Sequence, residues 1–404
     1  MLLQKLSLQP KQPSTSYSKK QIDRAGKTFI SRDVAKEKIL VKEKDIYDII
    51  IENIVKECYN FMINQTEEFW EQPQYSKNKI DKAGKILANK NISQEETEQA
   101  LTILNNWRSS HAYPLSIMAN SLTNSNPNAI VVQRLKRLDS IVGKLERFPQ
   151  MSLYKMQDLG GCRVILDTID QVYESVSNYK LSSTSYILKK ENDYIQNPKT
   201  SGYRSYHIVY QFQSEINEAY NKNILIEIQF RTHLQHLWAT ALETMGIYTQ
   251  TALKSSKGDK DVLRFFVLVS SLFALQEGTP VCPDTSDDSN KIIVELKEID
   301  SRLNIVSKLN AISTATAYSN RPSNESKGYY LLLLDFVKRE LKIAPFLLNQ
   351  IEAATKSYNQ IEALQLPNTD VVLVSASSFD ALKKAYPNYF SDISQFVIMM
   401  RELL

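Results

Sequence analysis

Glu227, Gln229 and Arg231 alternate with Ile226, Ile228 and Phe230 in the stretch ILIEIQFRTH (224–233). A period of two is that of a half-buried β-strand, so one face is apolar while the other carries an acid, an amide and a guanidinium in a row. Such a face is either a solvated strand surface or the floor of a polar site. Glu227 is the best general-base candidate in the chain. A carboxylate held among apolar residues, near a Mg²⁺ ion or a sugar hydroxyl, can take a proton from an alcohol nucleophile. In the helix expected next, HLQHLWATALE, His233 and His236 stand one turn apart. No HExxH or His-Asp pattern accompanies them, so they read as supports for a site rather than as metal ligands.

Three upstream stretches could complete such a site. In VVQRLKRLDSIVGKLERF, residues 134–147 hold five basic side chains (Arg134, Lys136, Arg137, Lys144, Arg147) against two acids (Asp139, Glu146). On a strand Arg134 and Lys136 share a face, and a helix capped by Asp139 or Ser140 brings Lys144 towards them. Converging cations of this kind suit a polyphosphate; a solvated basic helix face would give the same pattern. In MQDLGGCRVILD, Asp158 precedes a Gly-Gly turn into an apolar strand, a position that suits either a Mg²⁺ ligand or a simple turn former. Arg163 is an unusual guest in that strand and needs an anionic or aromatic partner. In NPKTSGYRSYHIVYQF, a loop containing Lys199 leads to a strand on which Tyr203, Ser205 and His207 alternate. Tyr203 beside a basic loop is a base-stacking platform if a nucleotide binds; His207 is more commonly a satisfied core or surface histidine.

The elements that must position these residues lie between 130 and 246. AIVVQRLK, CRVILD, SYILKK, YHIVYQF and ILIEIQF are strand candidates, and 140–148, 169–180 and 232–246 are helix candidates. The expectation is an α+β module with a mixed sheet of about five strands flanked by helices, with all-α regions before and after it. YSKKQIDRAGKTFI (17–30) is repeated as YSKNKIDKAGKILA (75–88), which suggests a duplicated helical element. The GKT of the first copy lacks the upstream glycine of a phosphate loop, because position 21 is Gln. DIYDIIIENIVKECYNFMI and SQEETEQALTILNNW read as helices, the latter with a Ser/Glu capping pattern at 93–96.

With 404 residues the chain has room for two or three domains, and its 43% hydrophobic and 23% charged content is ordinary for a globular protein. A net charge of +4 is too small to argue for nucleic-acid binding by itself. Three cysteines with no CxxC exclude a disulfide framework or a cysteine zinc site and suit a reducing cytoplasm. The N-terminal stretch shows no signal-peptide pattern. VLRFFVLVSSLFALQ (262–276) is shorter than the roughly 20 apolar residues of a spanning helix and reads as a buried core helix.

Taken in order, RLK…K (134–144), DLGGCRVI (158–165), NPKTSGYRSYH (197–207) and IEIQFRT (226–232) resemble the synthetase domain of the RelA/SpoT alarmone family. The resemblance implies a nucleotidyltransferase-like synthetase at 106–250, between a helical N-terminal region (1–105) and a helical C-terminal region (251–404). It implies a Mg²⁺-dependent pyrophosphokinase that moves the β,γ-pyrophosphate of ATP to a ribose 3′-hydroxyl, usually of GDP or GTP. Arg134 and Arg163 would then sandwich adenine, and Lys136 and Lys144 would hold the ATP phosphates. Asp158 and Glu227 would be the Mg²⁺-site acids, with Glu227 also activating the 3′-hydroxyl. Tyr203 would stack on the acceptor base, with Lys199, His207, Gln229 and His236 lining the acceptor site.

Long members of the family also carry a hydrolase domain marked by a His-Asp dyad. None of the four histidines here is followed by Asp, so no hydrolase activity is expected. Toxic members of the family modify the 3′ end of tRNA or make adenosine alarmones, and the sequence leaves that acceptor choice open. A nucleotide-sensing scaffold without catalysis is a further alternative, against which the acid pair Asp158 and Glu227 stands. Expected partners are ATP and the acceptor, with no membrane. A homo-oligomer, a protein partner and intramolecular regulation by the helical extensions are all compatible with the sequence. NNWRSSHAYPL (105–115) resembles a stretch of large single-synthetase members, with no role assigned to Arg108 or His111.

Overall fold

A computed structural model describes residues 70–89, 92–182, 186–215, 217–248, 259–313, 317–319, 328–335, 340–364, 366, 369–386 and 393–404. All belong to one compact unit, Ile54–Leu404. The first copy of the repeat and the DIYDIII helix expectation lie outside the described residues.

All five expected strands form: β1 (Ile130–Leu135), β2 (Gly160–Leu166), β3 (Ile187–Asp193), β4 (Tyr206–Gln211) and β5 (Leu225–Thr232). The helices α1 (Lys77–Leu87), α2 (Gln94–Ser109) and α3 (Ala112–Ser125) precede them; α4 (Leu138–Arg147) and α5 (Ile169–Ser182) run between them, and α6 (His233–Tyr248) comes directly after β5. Further helices are α7 (Lys260–Gln276), α8 (Ser289–Leu303) and α9 (Ile305–Ser313).

The C-terminal third departs from the all-helical expectation. It adds β6 (Ala317–Ser319), β7 (Gly328–Asp335), β8 (Glu340–Phe346) and β9 (Thr369–Ala376), with α10 (Ile351–Ala363), α11 (Phe379–Ala385) and α12 (Ser394–Leu403). These strands continue the first five into one nine-stranded sheet of order β3-β4-β5-β2-β1-β9-β7-β8-β6. The join is antiparallel, with Gln133 opposite Ser375 and Arg134 opposite Val374. The five-strand expectation fails here because GYYLLLLD in β7 is an uninterrupted apolar run. A strand buried on both faces and a buried helix look alike in such a run, and its partners lie far away in sequence.

Among the described residues, two buried clusters hold the later helices and the join of the sheet in place. One lies among α6, α7, α8, α9 and α12, where Phe265, Phe266, Leu296 and Phe396 are buried. It contains the apolar stretch read as a core helix, and Arg264 leaves it by forking onto Glu295 of α8 at 2.7 and 2.9 Å. The other packs Val132 and Ile165 with β7, β8, β9 and α11. Ser93 accepts the Glu96 amide as the expected cap of α2. The second repeat copy forms α1. Its Asp81 accepts the Ser152 hydroxyl at 2.6 Å and the Tyr154 amide at 3.0 Å, fixing the chain just before Asp158. A Cβ at Gly84 would stand 2.8 Å from that of Leu153, so glycine allows the close approach. Among the described residues no helix is long and apolar enough to cross a membrane.

Candidate active site

The basic segment and the acid before β2 meet at the end of β1. Lys136 directly follows β1, and α4 brings Lys144 back one side-chain length away. Both ammonium groups donate to Asp158, Lys136 to Oδ2 and Lys144 to Oδ1, each at 2.9 Å. Burial raises the Asp158 pKa, but the two lysines outweigh it and bring it down to about 2. Lys136 lies below its ordinary value, because burial costs the ammonium more than Asp158 returns. The acid is therefore firmly ionised and the cations are drawn to a single point. A polyphosphate entering there can take over both lysines by exchanging one anion for another.

On the neighbouring strands the polar face of β5 closes a ring of hydrogen bonds. Gln229 Nε2 donates to Glu227 Oε2 at 2.7 Å, and Arg231 Nη2 donates to Gln229 Oε1 at 2.7 Å. Arg231 Nη2 also reaches the Tyr203 hydroxyl at 3.4 Å. That hydroxyl lies 2.8 Å from His207 Nε2, and His207 Nδ1 lies 3.1 Å from Glu227 Oε1. A His207 N–H on Nδ1 would donate to the Glu227 carboxylate and leave Nε2 facing the Tyr203 hydroxyl. Burial raises the Glu227 pKa, but the His207 and Gln229 hydrogen bonds prevail and hold it below the ordinary carboxylate value. Parallel register places Gly161 opposite Glu227, and antiparallel register places it opposite Arg134. The missing side chain opens a cleft between them, lined by Arg134, Lys136, Asp158, Arg163, Glu227, Gln229 and Tyr386. Lys199 caps the Tyr203 side, its Nζ 4.2 Å from the Tyr194 ring centroid and 5.2 Å from that of Tyr203.

Arg163 finds the aromatic partner its strand position demanded. Its guanidinium lies 5.8 Å from the Tyr386 ring centroid, and Nη1 donates to the Ala385 carbonyl at 3.3 Å. Burial, then the nearby Arg231, lower the Arg163 pKa to about 10. Of the expected acceptor residues, Gln229 lines the cleft, Lys199, Tyr203 and His207 gather beside it through the hydrogen bonds and ring contacts above, and His236 lies apart from them. It does not line the cleft: its Nε2 lies 2.9 Å from the Lys384 carbonyl, and with His233 it lines a neighbouring depression under α11. Helical phase explains this, since His236 lies three residues into α6, past the point where the polar face of β5 can direct a side chain. Burial holds its imidazole pKa well below the ordinary value.

The family described as "Region found in RelA / SpoT proteins" matches residues 133–252, which contain the lining of the cleft except Val132 and Tyr386. Residues 133–252 are thus similar to the region shared by RelA and SpoT proteins. The chain is 34% identical over 119 residues to GTP pyrophosphokinase YjbM of Bacillus subtilis (strain 168), covering 28% of this chain and 54% of that one. It is 32% identical over 126 residues to GTP pyrophosphokinase YwaC of the same organism, covering 30% and 59%. The chain thus spans little more than half the length of the curated relatives it matches. Among solved structures it is similar to small alarmone synthetase 1 from Bacillus subtilis bound to its product pppGpp, at 28% identity and a TM-score of 0.30, covering 37% of this chain and 73% of that one. It is also similar to a GTP pyrophosphokinase family protein from Streptococcus pneumoniae, at 22% identity and a TM-score of 0.37, covering 46% and 91%.

Within this RelA/SpoT region the cleft offers two ionised carboxylates, Asp158 and Glu227, of hard oxygen character. That donor set fits Mg²⁺, which binds through one or two carboxylates and completes its shell with water and substrate phosphate oxygens. Sequence reasoning missed Tyr386 and undervalued Arg231. A tyrosine ending an amphipathic helix carries no chemical signature, and only the fold brings it against an arginine 223 positions earlier. The signal for Arg231 was present: it shares the polar face of β5 with Glu227.

Proposed function

We propose that the chain is an ATP-dependent pyrophosphokinase that transfers the β,γ-pyrophosphate of ATP to the 3′-hydroxyl of GDP or GTP, forming (p)ppGpp-type alarmones. The carrying observation is that Lys136 and Lys144 converge on Asp158, which lines the same cleft as the hydrogen-bonded Glu227. Transfer of this kind asks chiefly for charge neutralisation and in-line positioning. The lysines hold the polyphosphate, Arg134 and Arg163 flank adenine, and Tyr203 with Lys199 receives the acceptor base. Glu227 accepts the 3′-hydroxyl proton as that oxygen bonds to the β-phosphorus. The bond from the β-phosphorus to the bridging α–β oxygen breaks, and AMP leaves with the electron pair. Mg²⁺ held by Asp158 and Glu227 would neutralise the charge that develops on the phosphate oxygens.

His207 and Gln229 orient the Glu227 carboxylate by taking one lone pair from each oxygen, leaving others for the substrate hydroxyl. No hydrolase activity belongs to this reading, and it assigns the protein to the cytoplasm. Regulation within the chain also belongs to it. Tyr386 lies against Arg163, where adenine would stack, so its ring has to yield before ATP is fully seated. The test is incubation of the full chain with ATP labelled in the γ-phosphate together with GDP, GTP, ATP alone or bulk tRNA. Label appearing on GDP or GTP at the 3′ position supports the proposal. Label on tRNA or on an adenosine nucleotide only would replace the acceptor, and no transfer in any mixture would overturn the enzyme reading.

A further inference from the structure

The stretch NNWRSSHAYPL acquires a part in the site through Arg108. This guanidinium stands at the end of α2 and is only 1% exposed. Its ion-pair partner is Glu362 near the end of α10, 254 positions away, at 2.5 Å. Arg108 Nη2 also donates to Asn105 and Asn359, and the Tyr358 ring centroid lies 4.8 Å from the guanidinium carbon. Burial works against the charge, but Tyr358 and Glu362 prevail and hold the Arg108 pKa above its ordinary value. A charge this deeply buried stays only where its geometry is fixed on all sides.

Both members of the pair also hold the same short piece of backbone. Arg108 Nη1 reaches the Lys136 carbonyl at 3.4 Å, and Glu362 Oε1 accepts the Leu138 amide at 2.6 Å. Residues 136–138 form the bend between β1 and α4. That bend decides whether Lys136, just after the strand, and Lys144, on the helix, point at one spot. Leu138 is the first residue of α4, so its amide is a donor the helix itself leaves unsatisfied. A carboxylate there also meets the positive end of the helix dipole.

We propose that Arg108 and Glu362 are a positioning pair for the pyrophosphate-transfer site. Together they clamp the bend that aims Lys136 and Lys144 at the ATP phosphates. The proposal rests on the pyrophosphokinase reading for what the lysines bind, and goes beyond it in placing a necessary residue in the C-terminal half. Through Glu362, the added half of the molecule sets the geometry of phosphate binding without touching the nucleotide.

Glu362→Gln keeps an acceptor for Leu138 and removes the charge; Arg108→Lys keeps the charge and removes the fork. The full-length variants are compared for binding of a non-hydrolysable ATP analogue by calorimetry, and for KM and kcat. Glu295→Gln, at the half-buried pair with Arg264 far from the bend in sequence, is the control. Expected is about tenfold weaker analogue binding and a matching rise in KM for ATP for Glu362→Gln, with a smaller loss for Arg108→Lys. The acceptor KM stays within about twofold, since only the phosphate lysines are disturbed. Amide hydrogen exchange at residues 136–139 is read in the same proteins without nucleotide, and is expected to accelerate in both variants. A folded Glu362→Gln protein with parental analogue affinity and parental exchange would overturn the pair. If that variant does not fold, Arg108→Lys decides by the same two readouts. A parent that binds no analogue, with exchange still accelerated in the variants, removes the enzyme reading while leaving the clamp on the bend in place.

Discussion

The two halves of the nine-stranded sheet obey different rules. In β5 the burial alternates, and every second residue from Glu227 to Arg231 enters a hydrogen-bonded ring with His207 and Tyr203. In β7 seven consecutive residues are buried and none of them lines the cleft. The first half accepts polar groups on one face because each has a partner there. The second half gains only from burying apolar area. It touches the site from the ends of its helices, among other points through Ala385 and Tyr386 at the end of α11 and Glu362 near the end of α10. Chemistry and scaffold are thus divided within one sheet rather than between two domains.

The sharpest way to break this division is to remove the charge of Glu227. Glu227→Gln keeps the shape of the ring and removes the proton acceptor, so kcat is expected to fall by about 10²–10⁴-fold. Thermal denaturation should show a protein as well folded as the parent. A variant that retains transfer would move the base elsewhere. The counterpart in the other half is Leu332→Ala, at a fully buried position of β7. Urea unfolding is expected to lose about 2–5 kcal/mol of stability, with kcat per folded molecule unchanged. Loss of kcat in the folded variant would show that the halves are not separable in this way.

A smaller effect distinguishes the halves by pH. The folded pKa of Asp158 is about 2, below the 3.8 of the free group. The ion cluster therefore contributes its stabilisation in full above about pH 4 and loses it as pH falls through about 2. Asp158→Asn should be less stable than the parent by about 2 kcal/mol at pH 6, and that gap should close between pH 4 and pH 2. Denaturant titrations across this range give the gap directly. A constant gap would mean that Asp158 is not held ionised by Lys136 and Lys144.

The site half was legible in the sequence because its signals are local. Period-two alternation marks β5, two glycines mark the turn into β2, and Lys136 and Lys144 lie within ten residues of each other. Each depends on a few neighbours, and the fold only had to bring the stretches side by side. The scaffold half was not legible for the opposite reason. Its strands are defined by pairings such as Arg134 with Val374, and an apolar run does not say what it pairs with. The same holds for Glu362, whose carboxylate on a helix face looks like any solvated acid until Arg108 and the Leu138 amide are seen beside it. His236 shows the limit of local signals: close in sequence to β5, it is carried by helix geometry under α11, where its Nε2 lies 2.9 Å from the Lys384 carbonyl.

Tyr386 joins the two halves and gives the smallest effect but the most informative sign. Most substitutions of a buried aromatic weaken a site nearby. Here the ring stands in the cleft against Arg163, so its removal should help the nucleotide instead. A cation–π contact of this kind contributes about 1 kcal/mol, so Tyr386→Ala should strengthen ATP-analogue binding by about fivefold. Tyr386→Phe keeps the ring and should bind like the parent. Calorimetric titration of the three proteins separates the possibilities. Weaker binding in Tyr386→Ala would make the ring part of the adenine pocket, and the scaffold half would then supply a substrate contact. Stronger binding keeps chemistry on one side of the sheet and makes the Tyr386 ring a competitor that ATP has to displace.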